Sequence, residues 1–115
     1  LSRLGRGKEA LPIVEAAQAR DPDSALYAGQ IGMVLFEQRL FDRAERWLGR
    51  ALRLDPDQPQ LLDALAEIQI GRGERPAALA LLRRAALLPA EPALRQQIEQ
   101  RLLLLDAQRS AKHQR

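Results

Sequence analysis

Few side chains in this 115-residue sequence could carry out covalent chemistry, and none is placed to do so. The only histidine is His113, near the C-terminus, and there is no cysteine. The hydroxyl side chains besides Tyr27 are Ser2, Ser24 and Ser110. Neither a histidine-based nucleophile triad nor a histidine- or thiolate-based metal site can be assembled from this set. We therefore predict a protein that is not an enzyme and that holds no cofactor and no metal.

Two carboxylates, Asp63 and Glu67, are spaced for binding rather than for catalysis. They lie four residues apart, which is one turn of a helix. Nothing in their surroundings indicates the closed, dry pocket that would raise a carboxyl pKa for acid–base work. The pair could attract a basic peptide, or it could form a solvated helix face.

Four arginines lie on one face of a single predicted helix: Arg43, Arg46, Arg50 and Arg53. Such a row could pair with phosphates, so nucleic-acid binding is an alternative. However, Asp42 and Glu45 interrupt the row, and the spacing of Trp47 predicts a core residue rather than a platform for bases. The net charge of +3 is spread over intermixed acids and bases, which disfavours a single-sign field. We expect no nucleic-acid ligand.

The elements that position these residues follow from composition. Leucine and alanine dominate and aromatics are only 3%, which is typical of a helical chain. The longest apolar run, residues 77–82, is far below the ~20 residues of a membrane-spanning helix, so we expect no membrane insertion. The first residues lack the apolar stretch of a signal peptide and begin with Leu1. We interpret the sequence as a module of a larger protein, and its arginine-rich bias indicates a bacterial one.

A repeat of 34 residues organises the chain. The tripeptide Asp-Pro-Asp occurs at residues 21–23 and again at residues 55–57. Two successive stretches with apolar residues at i, i+3, i+4 and i+7 come after each tripeptide. This spacing places the apolar residues on one helical face, so we predict two helices in each copy of the repeat. Small residues return at equivalent positions and are suited to bring the two helices of a copy close together: Ala10, Ala17, Gly32, Ala44, Ala51, Ala66, Ala78 and Ala85.

This pattern resembles the tetratricopeptide repeat (TPR) family, whose repeat is a 34-residue helix–turn–helix. The resemblance rests on the small residues Gly32 and Ala66, on the paired alanines of each second helix, and on the closing prolines Pro22 and Pro56. It implies an all-α superhelix, or α-solenoid, in which neighbouring repeats stack. Gln69 departs from the family pattern because it stands where an aromatic residue is usual.

The expected domain covers residues 1–108. It consists of a partial repeat at 1–23, full repeats at 24–57 and 58–90, and a C-terminal capping helix at 91–108. Within the partial repeat, we expect residues 1–4 to end a first helix, residues 5–8 to form a turn, and Lys8 to begin the second helix. The polar residues 109–115 are predicted to be a disordered tail.

The resemblance also implies a function: the first helices of TPR repeats line a concave groove that binds a peptide or a helix of a partner protein. We predict a protein-binding scaffold whose partner the sequence does not identify. Met33 and Phe36 could instead pack between hairpins. The candidate groove residues are Leu26, Gly29, Gln30, Met33, Phe36, Gln60, Asp63, Glu67 and Ile70.

Two further expectations concern ligand class and assembly. The TPR proteins that clamp the C-terminal carboxylate of chaperones need cations in the groove, and the acids Asp63 and Glu67 exclude that class. Leu103 lies opposite the apolar stripe of the C-terminal helix, so self-association through that helix is an alternative function and a homo-oligomer is possible. A cytoplasmic location is favoured, and a periplasmic one would require a signal or an anchor before this segment.

Overall fold

The protein is all-α. The structure, a computed structural model, describes the backbone of residues 3–113 and the side chains of residues 9–108. Within that part there is no β-strand, and the predicted fold class is confirmed. The six helices are α1 (Arg3–Arg20), α2 (Ala25–Glu37), α3 (Phe41–Leu54), α4 (Pro59–Gly71), α5 (Arg75–Ala86) and α6 (Pro92–His113).

The chain divides into two compact units after Asp57. Unit 1 contains α1, α2 and α3, and unit 2 contains α4, α5 and α6. In each unit the main packing is between helices that follow one another in the sequence, α1 on α2 and α2 on α3, then α4 on α5 and α5 on α6. The helix pairs α2–α3 and α4–α5 fall within the two predicted repeats. The assignment of residues 1–108 to one domain stays a prediction.

Helix α1 differs from the expectation for the partial repeat. The predicted turn at residues 5–8 does not exist, because one continuous helix runs from Arg3 to Arg20 with Pro12 inside it. A comparison with the equivalent stretch of a later repeat gives the physical reason. The similar stretch at 73–76 ends in Pro76, which lies in the first turn of α5, where its missing N–H interrupts no hydrogen bond, whereas Lys8 occupies that position in α1. Gly5 and Gly7 each weaken a helix by only about 1 kcal/mol, and α1 continues through them as it continues through Pro12.

Unit 1 is built around a tight hairpin of α2 and α3. Ser24 caps α2, because its Oγ accepts a hydrogen bond of 3.2 Å from the N–H of Tyr27. The two helices approach most closely at Gly32. A Cβ atom there would lie 2.8 Å from Leu48 Cδ2 and 3.0 Å from the Leu48 backbone nitrogen, so only glycine fits without a shift. Ile31, Leu35 and Leu48 form the buried core of the hairpin.

The turns of the two hairpins share one backbone conformation. Arg39 has a φ of 63° after α2, and Gly73 has a φ of 76° after α4. In both turns the N–H of the following residue donates to the carbonyl five positions earlier, over 3.0 Å in the first turn and 2.9 Å in the second. This left-handed termination is common at helix ends, and glycine adopts it without steric cost. The repeat therefore conserves the turn geometry even where arginine replaces glycine.

Helix α6 packs on α5 in unit 2 and is longer than expected. The capping helix was predicted at 91–108 and a disordered tail at 109–115. Residues 109–113 instead continue the helix, and residues 114–115 lie outside the described part. The sequence contains no proline or glycine from Ala93 to His113, so no residue interrupts the hydrogen-bond ladder there. Polarity alone was the wrong basis for predicting disorder.

Candidate functional site

The face of α2 that the sequence assigned to a groove is apolar and only partly open. Leu26 is 63% exposed, and Gln30 is exposed beside it. Met33 and Phe36 are half-buried. Phe36 makes an edge-on ring contact with Phe41 of α3, with centroids 5.8 Å apart, so part of its surface belongs to the hairpin.

Gly29 was expected on the same face, but the structure buries it. It therefore lies at a packed position rather than on an open surface. The exposed apolar part of α2 is smaller than the sequence indicated, and it is centred on Leu26 and Met33.

The corresponding face of α4 is acidic, and it is contacted by α6. Asp63 is 4% exposed, whereas it was expected to face solvent. Arg101 Nη1 lies 3.3 Å from Asp63 Oδ1 as an ion pair, and it donates a hydrogen bond of 3.2 Å to the Asp63 carbonyl oxygen. Arg101 Nη2 lies 3.2 Å from Glu67 Oε2. Gln97 Nε2 donates to Asp63 Oδ2. The acidic pair thus already has partners within its own unit.

Burial dominates the electrostatics of Asp63. Removal from water raises the pKa of its carboxyl above the ordinary value of 3.8, and the charge of Glu67 raises it further. The Arg101 guanidinium and the Gln97 hydrogen bond act in the opposite direction without cancelling the effect of burial. Asp63 Oδ1 has the Arg101 charge beside it but no hydrogen bond. Asp63 is therefore a buried anchor for α6 rather than a free acid that could capture a basic ligand.

Sequence reasoning missed Gln97 and Arg101, although the repeat contained the necessary signal. Gln97 lies 34 positions after Asp63, and Arg101 lies 34 positions after Glu67. In unit 2, side chains that are 34 residues apart in the sequence therefore contact each other. Helix α6 thus occupies the position that the first helix of a further repeat would have. Extending the 34-residue shift beyond residue 90 would have paired both acids with their partners.

The remaining groove candidates on α4 are Gln60 and Ile70, and both are exposed. Ile70 lines a cavity of about 260 Å³ between α4 and α6 in unit 2. The Glu67–Arg101 ion pair forms its polar side, and its other lining residues are Leu104, Leu105 and Gln108. On α4 the exposed groove candidates are thus Gln60, Ile70 and Glu67, and Glu67 is paired with Arg101.

The small residues predicted to pack helices together fall into two groups. Ala10 and Ala17 of α1 are half-buried. The others are buried: Gly32, Ala44, Ala51, Ala66, Ala78 and Ala85. Gly32 is the position where a close helix–helix approach is geometrically evident.

The outer face of α3 carries a pocket that the sequence did not predict. Trp47 was expected in the core, but it is half-buried. It lines a cavity of about 480 Å³ together with Glu45, Arg46, Gly49, Arg50 and Arg53. The periodic pattern assigned Trp47 to the packed stripe, but it could not show how much of a large indole the neighbouring residues leave uncovered.

Within the described part of the chain, no group of three or more His, Cys, Asp or Glu side chains could hold a metal ion. No helix of that part is both long enough and apolar enough to cross a membrane.

Two helix hairpins related by a 34-residue period define a TPR-like helical repeat fold, as the resemblance implied. No protein-family model and no curated protein sequence matches the chain.

Solved structures do match. The chain is similar to the type III secretion translocator chaperone SycD of Yersinia enterocolitica, with a TM-score of 0.83 and 18% identity, covering 92% of this chain and 76% of that chain. It is also similar to SycD of the same organism in complex with a peptide of the translocator YopD, with a TM-score of 0.81 and 18% identity over 91% of this chain and 83% of that chain.

A further similar structure is PcrH in complex with the chaperone binding region of PopD, with a TM-score of 0.79 and 22% identity. That match covers 91% of this chain and 82% of the other. At these identities the likeness demonstrates a shared fold.

Proposed function

We propose that this protein is a non-catalytic scaffold that binds a peptide segment of a partner protein on the exposed face of its first helices. The observation that carries the proposal is the likeness to two chaperone structures that were solved with bound translocator peptides, at TM-scores of 0.81 and 0.79. A shared fold does not transfer a ligand, so the surface of this chain must supply the argument for one.

In unit 1 that surface is the face of α2 formed by Leu26, Gln30 and Met33. An exposed leucine beside a half-buried methionine offers an adaptable apolar contact, and Gln30 can bond a peptide backbone. The matching partner is a peptide or a helix that presents apolar side chains. The face of α4 is less suited, because α6 already engages Asp63 and Glu67. A single groove that includes both faces stays a prediction.

The test is selection of ligands from a displayed library of 12-residue peptides, followed by affinity measurement with the best ligand. We expect the double variant Leu26→Ala/Met33→Ala to bind at least tenfold more weakly, because the apolar contact is removed. The matched control is Leu87→Ala/Leu103→Ala, since both leucines are exposed elsewhere, at 87% and 70%. Circular dichroism establishes that each variant folds. Equal affinity of the first variant and the wild type would contradict the proposal for α2.

Two other expectations remain predictions. Leu103 is exposed, as self-association through the C-terminal helix would require, but single exposed leucines are ordinary. A cytoplasmic location and a role as a module of a larger protein are the other expectations that we retain.

A further inference from the structure

The pocket on the outer face of α3 combines cations with an aromatic surface, and it lies within unit 1 on a different helix from the proposed peptide-binding face. Its volume of about 480 Å³ is bounded by three arginines and one glutamate, with Trp47 and Gly49 between them. From this arrangement we propose that the pocket is a second binding site, which takes an extended acidic peptide segment of a partner protein.

Arg50 is held in place before any ligand arrives. Its guanidinium lies over the Trp47 ring, 5.5 Å from the centroid, and its Nη2 donates a hydrogen bond of 2.9 Å to the carbonyl oxygen of Pro22. A guanidinium fixed by two contacts loses little conformational freedom when it pairs with a carboxylate. Arg50 is therefore the preorganised centre of the site.

Arg46 and Arg53 extend the cationic surface on both sides of Arg50 along α3. The positions i, i+4 and i+7 span about 10 Å of helix, at 1.5 Å per residue. Alternate side chains of an extended peptide are about 6.6–6.8 Å apart. Successive arginines are thus about 6 Å and about 4.5 Å apart along the axis of α3, closer than alternate peptide side chains, and their long side chains can span the remaining few ångströms to the carboxylates.

Gly49 gives the pocket an open floor. A Cβ atom at this position would meet only Arg53 Nη1, at 3.6 Å, which is an ordinary contact. Packing within the protein therefore does not require glycine here, although glycine weakens the middle of a helix relative to alanine. Gly49 is half-buried, and the absence of a side chain there leaves room in the pocket beside the Arg53 guanidinium for an approaching peptide.

The same geometry disfavours a nucleic acid. Single-stranded nucleic acids bind through aromatic rings whose faces are free for stacking. One face of Trp47 is covered by Arg50 instead.

The experiment uses the intrinsic fluorescence of Trp47, the only tryptophan in the chain. The probe is a synthetic seven-residue peptide with glutamate at alternate positions, and the matched probe has glutamine at those positions. We expect the glutamate peptide to change the fluorescence saturably, with binding that weakens as salt rises, and the glutamine peptide to have no effect.

Two variants distinguish a site from a diffuse charge effect. We expect Arg46→Gln/Arg53→Gln to lose at least tenfold in affinity. Arg83→Gln/Arg95→Gln removes the same charge from exposed positions on α5 and α6, and it should change the affinity less than twofold. Gly49→Ala should raise the melting temperature of the protein but weaken its binding of the peptide. Because a more stable variant is not misfolded, a folding defect could not then explain the weaker binding.

The proposal is overturned if the glutamine peptide binds equally well, if the two double variants lose affinity equally, or if Gly49→Ala leaves binding unchanged. It is also overturned if a single-stranded oligonucleotide of equal charge displaces the peptide at lower concentration, since the pocket would then be a nucleic-acid site.

Discussion

The first helices of the two hairpins, α2 and α4, occupy the same position in the repeat but present different chemistry. Gly29 and Met33 of α2 correspond to Asp63 and Glu67 of α4, one period of 34 residues later. The uncharged face of α2 keeps an exposed leucine, whereas the acidic face of α4 is engaged by Arg101 and Gln97 of α6. Sequence divergence at equivalent positions has thus made one face suitable for a ligand and the other an attachment site for a helix.

The largest expected effect comes from removing the charge that holds α6 on α4. Arg101→Ala leaves Asp63 buried beside Glu67 without a cation, and we expect the free energy of unfolding to fall by about 1–3 kcal/mol. Urea denaturation at pH 7 measures the loss. The matched control is Arg95→Ala, because Arg95 is exposed on the same helix. If both variants unfold like the wild type, α6 does not depend on the ion pair, and the face of α4 is as open as that of α2.

For Arg101→Ala we also predict how the loss of stability changes with pH. Because the pKa of Asp63 is raised in the folded protein, its protonated form is favoured by folding, and stability from this group increases as pH falls toward 3.8. Loss of Arg101 raises that pKa further, so Asp63 protonates at a higher pH and ceases to be a buried charge. The destabilisation by Arg101→Ala should therefore be smaller near pH 4.5 than at pH 7. A loss independent of pH would indicate that Arg101 acts only through packing.

An intermediate effect is expected at the small residue of each first helix, which is glycine in α2 and alanine in α4. Gly32→Ala introduces a Cβ atom 2.8 Å from Leu48, and we expect a net destabilisation of about 1–2 kcal/mol despite the better helix propensity of alanine. At the equivalent position the change is reversed: Ala66→Gly should cost about 1 kcal/mol through helix propensity. Thermal unfolding of both variants tests the pair. A stabilising Gly32→Ala would mean that the side chain of Leu48 moves aside for the added methyl group at little cost.

The smallest expected effect concerns the turns. Arg39 and Gly73 both adopt positive φ, which costs a non-glycine residue about 1–2 kcal/mol. Replacing Arg39 by glycine removes that strain but adds freedom to the unfolded chain, so we expect a net gain of about 0.5 kcal/mol. Gly73→Ala should lose about 1 kcal/mol. Denaturation midpoints measured side by side provide the check, and changes of the same sign in both variants would show that the turns are not equivalent.

The sequence predicted the two hairpins well because their signal is periodic. Ile31, Leu48 and Ala78 were placed on packed faces, and all are buried. The errors occurred where the evidence was local: glycines in α1 were interpreted as a turn, and polar residues after 108 as disorder. Helices continue through glycines and polar residues because each weakens a helix by only about 1 kcal/mol or less, and α1 continues even through Pro12.

The binding surfaces were harder to predict, for a different physical reason. Periodicity shows which side of a helix is packed, but it does not show how completely. Asp63 was assigned to an open face and is buried under Gln97 and Arg101, while Trp47 was assigned to the core and lines a pocket. The burial of both residues depends on the size and reach of side chains from another turn or another helix. The pattern of residues along one helix carries no information about those side chains.

The attachment of α6 also has a consequence for the order in which the chain is made. Arg101 bonds the Asp63 carbonyl from 38 positions downstream. At about 5–20 residues per second, a ribosome needs roughly 2–8 seconds to add those 38 residues. The α4–α5 hairpin, whose contacts are local, can form well within that interval. During synthesis, therefore, Asp63 and Glu67 are made before the cation that pairs with them, and unit 2 is complete only after α6 has been added.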